Sequence, residues 1–568
     1  MSVDRELVRA SSAGNLGLKG KRIATLVLSA LIALKIAFFF IFALNSRFVM
    51  DEFLQLGWAK YLGNVFESIW PAKAVGFAVF YKLAHLIGWD AQSILLIGRM
   101  QTALLACATM AIIYACARAL GESRLRALAI ILVLLCFSNF IERIFRTIAE
   151  PLAVFFAAAS LLVVLRGRAD RARTVIAAGV LTGMAFLATQ KSVYFNIALG
   201  LALVGDAALA GRFIDGIKRG GWLMLGWLLP LIGYCFIFGG SDPLPVAQNL
   251  ILGPVDVAAH GDVAYGGLRG YVGKTILYNG PLYIFCFSGM GLALLRVRMI
   301  DERTRVALIF TLVISLLVFA HNQPWPYVFI MSLPFMSLWS LELFDRLAGQ
   351  KLHLKVAWTV MGIAIIASLI RNGIYLLLDN RGQLELVGRA EALVGPGERY
   401  FDGVGMLPNR LEPTLLWLDR SAIRKTLREG EHSEAYRVFT NCPPKIILWS
   451  YRMQDIYPVV APLIRNSYVQ VAPNIRMVGL RLKRGQPMTF DVPVGGSFAL
   501  YGTDGEPLLG KVEIDGKALG PPFRLDRGSK TVTLRSGPPS ALLLPQGSYA
   551  GILTPGNDDE RLFAGLSL

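Results

Sequence analysis

Apolar runs of about membrane-spanning length recur along the first two-thirds of this 568-residue chain. They cover residues 23–46, 94–117, 126–140, 148–166, 174–190, 192–210, 221–239, 281–296, 304–320, 325–344 and 354–378. A helix crossing a bilayer needs roughly 17–25 predominantly apolar residues, because its backbone must satisfy its own hydrogen bonds where water is absent. About eleven transmembrane helices are therefore expected. The hydrophobic fraction is 55% and the charged fraction 17%, against about 25% charged residues in an ordinary soluble chain. A polytopic α-helical membrane protein is predicted. The shorter run 75–88 is interrupted by Lys82 and His85 and reads as an interfacial amphipathic helix rather than a span.

The net charge of +18 does not point to nucleic acid. Its basic residues sit in short clusters between apolar runs, at Arg118–Arg126, Arg166–Arg173, Arg212–Arg219, Arg296–Arg305 and Arg346–Lys355. With 75–88 kept out of the bilayer, all five fall on the same side as the basic tail 1–22, as the positive-inside rule requires of cytoplasmic loops. Ile23–Leu44 then acts as a retained signal anchor. The opposite, periplasmic side of an inner membrane receives loops 47–93 and 240–280, the stretch 140–150, the turn at Gln190-Lys191 and His321–Tyr327. Everything after about 379 follows them. Five of the six cysteines lie in apolar runs and only Cys442 in the soluble part, so that part forms no internal disulfide, and no cysteine pair has metal-ligand spacing.

Residues 23–378 thus form a transmembrane domain. Residues 379–475 mix helical and strand patterns, with a helix expected at Gln383–Leu393 and a buried strand at Lys445–Trp449. From about 476 to 568 short strands and turns predict a β-sandwich-like domain, with an Asp-Gly hairpin inside Lys511–Lys517 and strands at Ser497–Tyr501 and Thr531–Arg535.

The outer loops carry the candidate chemistry. Asp51-Glu52 lies just beyond the first span, Glu150-Pro151 heads a later one, and cations stand at Lys73, Arg143, Arg146, Lys191, Arg269 and Lys274. Positive charge on that side runs against the positive-inside bias and is explained by an anionic lipid headgroup. Transfer of a sugar from a lipid phosphate needs a base for the acceptor hydroxyl and cations for the departing phosphate. Glu150 also gains from the helix macrodipole whatever its function. Arg269 and Lys274 lie in a Gly-rich outer stretch that follows no strand, so it is read as a loop closing over the donor rather than a nucleotide-binding loop. Lys35, within the first span, is expected to face the bundle interior in a pair. Tyr400–Gly405 reads as a strand followed by a turn.

In order, the chain presents a span, Asp51-Glu52, Pro71-Ala-Lys73, the 75–86 helix, Arg99 near the start of the next span, Glu150-Pro151, Lys191 in a tight outer turn, and His321 before a proline-interrupted segment. Over residues 20–345 this resembles the GT-C superfamily of glycosyltransferases, in the branch of the protein O-mannosyltransferases and the lipid A aminoarabinose transferase. Where that family often has two prolines after the lysine, this chain has Ala74-Val75. The resemblance implies an inverting transferase with a polyprenyl-phosphate-linked sugar donor and a hydroxyl acceptor on a lipid, an envelope polysaccharide or a protein. It implies catalytic roles for Asp51, Glu52 and Glu150, with Asp51 as base or as ligand to a divalent metal ion. Lys73, Arg146, Lys191, Arg269, Lys274 and His321 are expected to hold the donor phosphate. The rival from another class is a membrane transporter or lipid flippase, for which internal repeats and midplane ionisable groups are the usual signs.

Overall fold

With little charge and long apolar runs, the first two-thirds of the chain can satisfy its backbone only as helices. The computed structural model bears this out. It describes residues 18–62, 74–260, 268–410, 418, 420–554, 556–559 and 562–563. The chain divides into two compact units. One comprises residues 1–46, 70–81 and 98–378, and the other 47–69, 82–97 and 379–568.

Among the described residues seven helices are long and apolar enough to cross a membrane: Arg22–Asn45, Ala91–Ala119, Ala149–Arg166, Gln190–Leu209, Phe213–Gly239, Arg269–Leu294 and Lys351–Tyr375. Helices Arg124–Cys136, Ala172–Ala188 and Glu302–Phe319 lie on three further apolar runs, and Gly76–Ile87 is a separate short helix. Two runs are not single helices. The 126–140 run breaks at Phe137, where the backbone is extended, before the short helix Ser138–Arg143. Side chains satisfy the groups this break frees: Asn279 accepts the Ser138 N–H at 2.8 Å and Arg371 donates to the Cys136 carbonyl at 2.7 Å. The 325–344 run becomes a 3-10 turn, Phe329–Met331, and the short helices Leu333–Ser337 and Glu342–Leu347. Pro324, Pro326 and Pro334 deny it a continuous ladder. Ser332, Ser337 and Ser340 bond carbonyls three residues back instead. Such substitution is how irregular backbone survives in an apolar surround.

The expected long loop 240–280 is mostly helix, with Leu244–His260 and the start of Arg269–Leu294 inside it. Thr275, Asn279, Leu282, Tyr283 and Cys286 are buried at three- and four-residue spacing, and the helix kinks at Asn279, where φ is −125° and ψ 16°, just before Pro281. Lys35 is buried and donates to Ser368 Oγ at 2.6 Å, so its partner is a neutral hydroxyl. Two pairs of the basic loops meet through ion pairs. Asp206 holds Arg219 at 3.2 Å and Arg305 at 2.7 Å, while Arg126 grips Asp345 at 2.6 and 2.8 Å.

Helices of this unit approach closely at glycines, the usual device where no water drives helices together. A Cβ on Gly226 would lie 2.2 Å from the Ile176 carbonyl oxygen, and one on Gly289 only 1.9 Å from that of Trp339. Gly289→Val is therefore expected to cost about 3 kcal/mol, the upper end of overpacking penalties, because backbone meets backbone. A lower melting temperature in detergent checks this. Gly291→Ala, which meets nothing within 4 Å, should be nearly silent.

In the second unit a four-stranded sheet has the order β1-β2-β4-β3, with β1 (Tyr400–Phe401), β2 (Ile446–Leu448), β3 (Tyr468–Ala472) and β4 (Ile475–Val478). It is accompanied by helices Arg381–Leu393, Arg420–Glu429, Glu434–Asn441 and Tyr451–Arg465. Eight further strands follow: β5 (Leu480–Lys483), β6 (Pro487–Val492), β7 (Gly496–Tyr501), β8 (Lys511–Ile514), β9 (Lys517–Leu519), β10 (Phe523–Leu525), β11 (Gly528–Ser536) and β12 (Ser540–Pro545). They make two antiparallel sheets, β10-β7-β12-β5 and β6-β11-β8-β9. Asp515 and Gly516, at φ 50° and 82°, form the two-residue turn joining β8 to β9, as a primed hairpin turn requires. One buried cluster runs from Phe401 and Trp449 through Phe490 and Phe498 to Leu543, so both halves share a core.

Candidate functional site

Ile148 is extended and Glu150 occupies the first turn of the Ala149–Arg166 helix, where backbone N–H groups and the helix dipole favour a carboxylate. Only 4% of Glu150 is exposed. Lys191 comes from the 3-10 turn Gln190–Ser192, between two apolar helices, and its Nζ meets Glu150 Oε1 at 2.9 Å. The lysine side chain is 30% exposed and the glutamate 5%. The pair therefore turns its cation, not its anion, outward. Lys191 Nζ also lies 4.5 Å from the Tyr327 ring centroid.

His321 joins this cluster just past the Glu302–Phe319 helix, packing edge-on against Tyr194 at 5.7 Å. Burial pushes its pKa down to about 4, with the Lys191 charge adding to the fall and Glu150 opposing it. The ring is therefore neutral near pH 7. The Gln323 backbone N–H donates to Nδ1 at 3.2 Å, which places the single ring proton on Nε2. Nε2 is buried and has no partner among the described residues. The site thus offers one partly exposed ammonium and one neutral, oriented N–H donor, a combination suited to phosphate oxygens.

Unfolding raises the His321 pKa from about 4 to the ordinary 6.5. Between those values the unfolded chain holds the extra proton, so this contribution is present above pH 6.5 and lost as pH falls toward 4. His85, pushed down to about 4 mainly by burial, acts with the same sign. The melting temperature should fall between pH 7 and pH 5, and fall less in His321→Asn. Equal falls in both proteins would contradict this.

The remaining candidates are placed differently. Arg146 is fully buried, its Nε–H donating to the Glu142 carbonyl at 2.9 Å and its guanidinium 5.4 Å from the Phe145 ring centroid. Arg143 is likewise buried. Glu142 accepts the Tyr375 hydroxyl. Arg269 and Lys274 are exposed on the first turns of a helix, not in a closing loop. Lys274 lies 5.7 Å from the Tyr271 ring, and Tyr271, Trp325 and Tyr327 continue that contact toward Lys191. Lys73 lies outside the described residues.

Asp51 and Glu52 belong to the second unit, in the helix Met50–Tyr61. Glu52 is fully buried and accepts the Val49 N–H at 3.0 Å, so local capping accounts for its position. Asp51 is the accessible member, its side chain 41% exposed, with Arg452 Nη2 at 3.8 Å from Oδ1. A guanidinium neighbour does not suit a divalent cation, and among the described residues no three His, Cys, Asp or Glu side chains converge as metal ligands. Asp402 spends its carboxylate on the Val404, Gly405 and Met406 N–H groups, which makes it the organiser of a turn. Sequence reasoning missed Tyr194, Tyr327 and Arg452. Only Tyr327 carried a signal, as the end of the outer His321–Tyr327 stretch.

Solved membrane-protein structures share this fold. ArnT from Cupriavidus metallidurans, crystallised bound to undecaprenyl phosphate, is similar over 80% of this chain and 98% of its own, with 16% identity and a TM-score of 0.54. Its apo form is similar over the same shares, at 14% identity and a TM-score of 0.51. Residues 424–477 and 480–545 match two sequence families, each described as a domain of unknown function (DUF7056 and DUF7055). No curated protein matches the chain in sequence.

Proposed function

We propose that the chain is an inverting glycosyltransferase. It moves a sugar from a polyprenyl-phosphate-linked donor to a hydroxyl on a lipid, an envelope polysaccharide or a protein. The reaction takes place at the periplasmic face of the inner membrane, with the N-terminal tail in the cytoplasm. The observation that carries this reading is the cluster of Lys191, Glu150 and His321. It presents phosphate-binding donors within the fold of an enzyme solved with undecaprenyl phosphate.

The acceptor oxygen attacks the anomeric carbon while the carbon–oxygen bond to phosphate breaks and its electron pair leaves with the phosphate. Asp51 takes the acceptor proton. Charge grows on the leaving polyprenyl phosphate, where Lys191 and the Nε2–H of His321 stabilise it more than in the ground state. Glu150 holds Lys191 until the phosphate competes for it. Exposed Lys274, along the aromatic row from Lys191, adds to the positive approach.

Protein in lipid nanodiscs, given undecaprenyl phosphate carrying a labelled sugar together with envelope extract, should release undecaprenyl phosphate and transfer the label to a hydroxyl-bearing product. Comparison of envelope glycans from cells with and without the protein then identifies the acceptor as the one lacking a residue. Movement of the intact lipid-linked sugar across the bilayer without cleavage would instead make it a flippase.

A further inference from the structure

The stretch from Pro324 to Tyr327 alternates proline with aromatic residues. The prolines fix their own φ and cannot donate, which narrows the conformations open to this loop. Hydrogen bonds within the loop pin it further, from the Trp325 N–H to the Gln323 carbonyl at 2.8 Å and from the Val328 N–H to the Trp325 carbonyl at 2.9 Å. Trp325 and Tyr327 hold their rings within 11° of parallel, with centroids 6.4 Å apart. Tyr271, from the start of the Arg269–Leu294 helix, continues the row at 6.1 Å from Trp325. All three side chains are half-buried. Carbon atoms in contact lie about 3.5–4.0 Å apart, so rings at these centroid distances are offset and cover little of one another's faces. An ammonium closes each end of the row. Lys274 lies 5.7 Å from the Tyr271 ring centroid and Lys191 4.5 Å from that of Tyr327.

A girdle of Trp and Tyr is the ordinary reading of aromatic residues at a membrane boundary, and it fits Trp89, which is 81% exposed. It does not account for a strip assembled from two separate segments, bounded by two cations and ending on the lysine that meets Glu150. A sugar chain does. Pyranose rings present C–H faces that pack on the negative π-surface of an aromatic side chain. Their rim hydroxyls pair with amides, and the same loop carries Asn322 and Gln323.

We infer that Tyr271, Trp325 and Tyr327 bind an acceptor oligosaccharide and that Lys274 takes an anionic substituent on it. This rests on the proposed function and narrows it, selecting a glycan over a protein or a simple lipid hydroxyl. A pyranose is about the size of a single phenyl ring, so a lone donor sugar beside Lys191 would leave the Tyr271 end of the strip unused.

The test titrates the full chain in lipid nanodiscs with a monosaccharide and with longer envelope oligosaccharides in neutral, phosphorylated and uronate-bearing forms. It also measures undecaprenyl phosphate affinity, the KM for each substrate and the melting temperature. Affinity should rise with chain length and be higher for the anionic forms. Trp325→Leu should weaken oligosaccharide binding and raise the acceptor KM about tenfold, the upper range of an aromatic contact, at unchanged undecaprenyl phosphate affinity. Trp325→Phe should recover most of the loss, which separates stacking from apolar packing. Lys274→Gln should weaken binding of the anionic forms alone, and Trp89→Leu should alter nothing. Wild-type affinity equal for neutral and anionic forms strikes Lys274 from the site. Trp325→Leu that binds oligosaccharide as the wild type does, or raises only the donor KM, overturns the inference and leaves the proposed function standing. So does a wild-type chain that transfers sugar to a peptide or lipid while binding no oligosaccharide. A wild-type chain that neither binds undecaprenyl phosphate nor transfers sugar overturns the proposed function, and the acceptor role with it.

Discussion

Asp51→Asn is expected to lower sugar transfer by about 10²–10⁴-fold, the usual worth of a positioned general base, while leaving the melting temperature and undecaprenyl phosphate binding close to wild type. The amide keeps the size of the carboxylate, and the 41% exposed side chain supports no buried network whose loss would unfold the protein. Glu52→Ala supplies the contrast. Glu52 is fully buried and bonds the Val49 N–H, so its loss should appear first in stability, by about 0.5–2 kcal/mol as for other helix-end contacts. Activity should fall only as far as the folded fraction does. Steady-state rates beside thermal denaturation curves for both variants separate the roles. Wild-type turnover by Asp51→Asn would remove it from the proposed chemistry and leave the acidic pair a helix-end feature.

The two carboxylates are indistinguishable in the sequence, and the reason is physical. Neighbours on a helix point about 100° apart, so which one faces inward depends on packing from distant segments. The Phe48 N–H, for example, bonds Gln383 at 2.6 Å, and Phe53 packs against Phe563. The same reasoning explains Arg452, which lies some 400 residues from Asp51 in the chain and follows no recognisable motif. The membrane helices were legible because burial in lipid writes itself as long apolar runs. Their interruptions at Phe137 and after Pro324 were not, since they depend on Asn279, Arg371 and serine hydroxyls arriving from elsewhere. Glycine content misled the reading of 240–280. The pattern of Thr275, Asn279, Tyr283 and Cys286 was present, but it is a mixed polar and apolar stripe that hydrophobicity alone does not register. At the outer turns the order of charged residues put Glu150, Lys191 and His321 on one side with Asp51, Glu52 and Arg146, and only packing shows that the first three cluster. The tautomer of His321 required the Gln323 backbone contact.

Lys191 offers the sharpest division between pairing and catalysis, because its partner is known. Lys191→Met leaves the Glu150 carboxylate buried and without its cation. Breaking a fully buried pair costs about 3–5 kcal/mol. The 30% exposure of the lysine makes a smaller loss appropriate, roughly 1–3 kcal/mol after solvent screening. Glu150→Gln combined with Lys191→Met removes both charges, and replacing a whole pair by neutral groups is often close to neutral in stability. The double variant should therefore regain the melting temperature that the single lysine variant loses. Its activity should not return. If Lys191 donates to the leaving phosphate, both variants lack that donor at the moment charge develops, and transfer should remain about 10²–10³-fold down, as when one preorganised oxyanion donor is deleted elsewhere. A double variant that recovers stability and turnover together would show that Lys191 serves only to neutralise Glu150, and would leave the leaving phosphate to the neutral donor on His321 and the cations of the neighbouring helix.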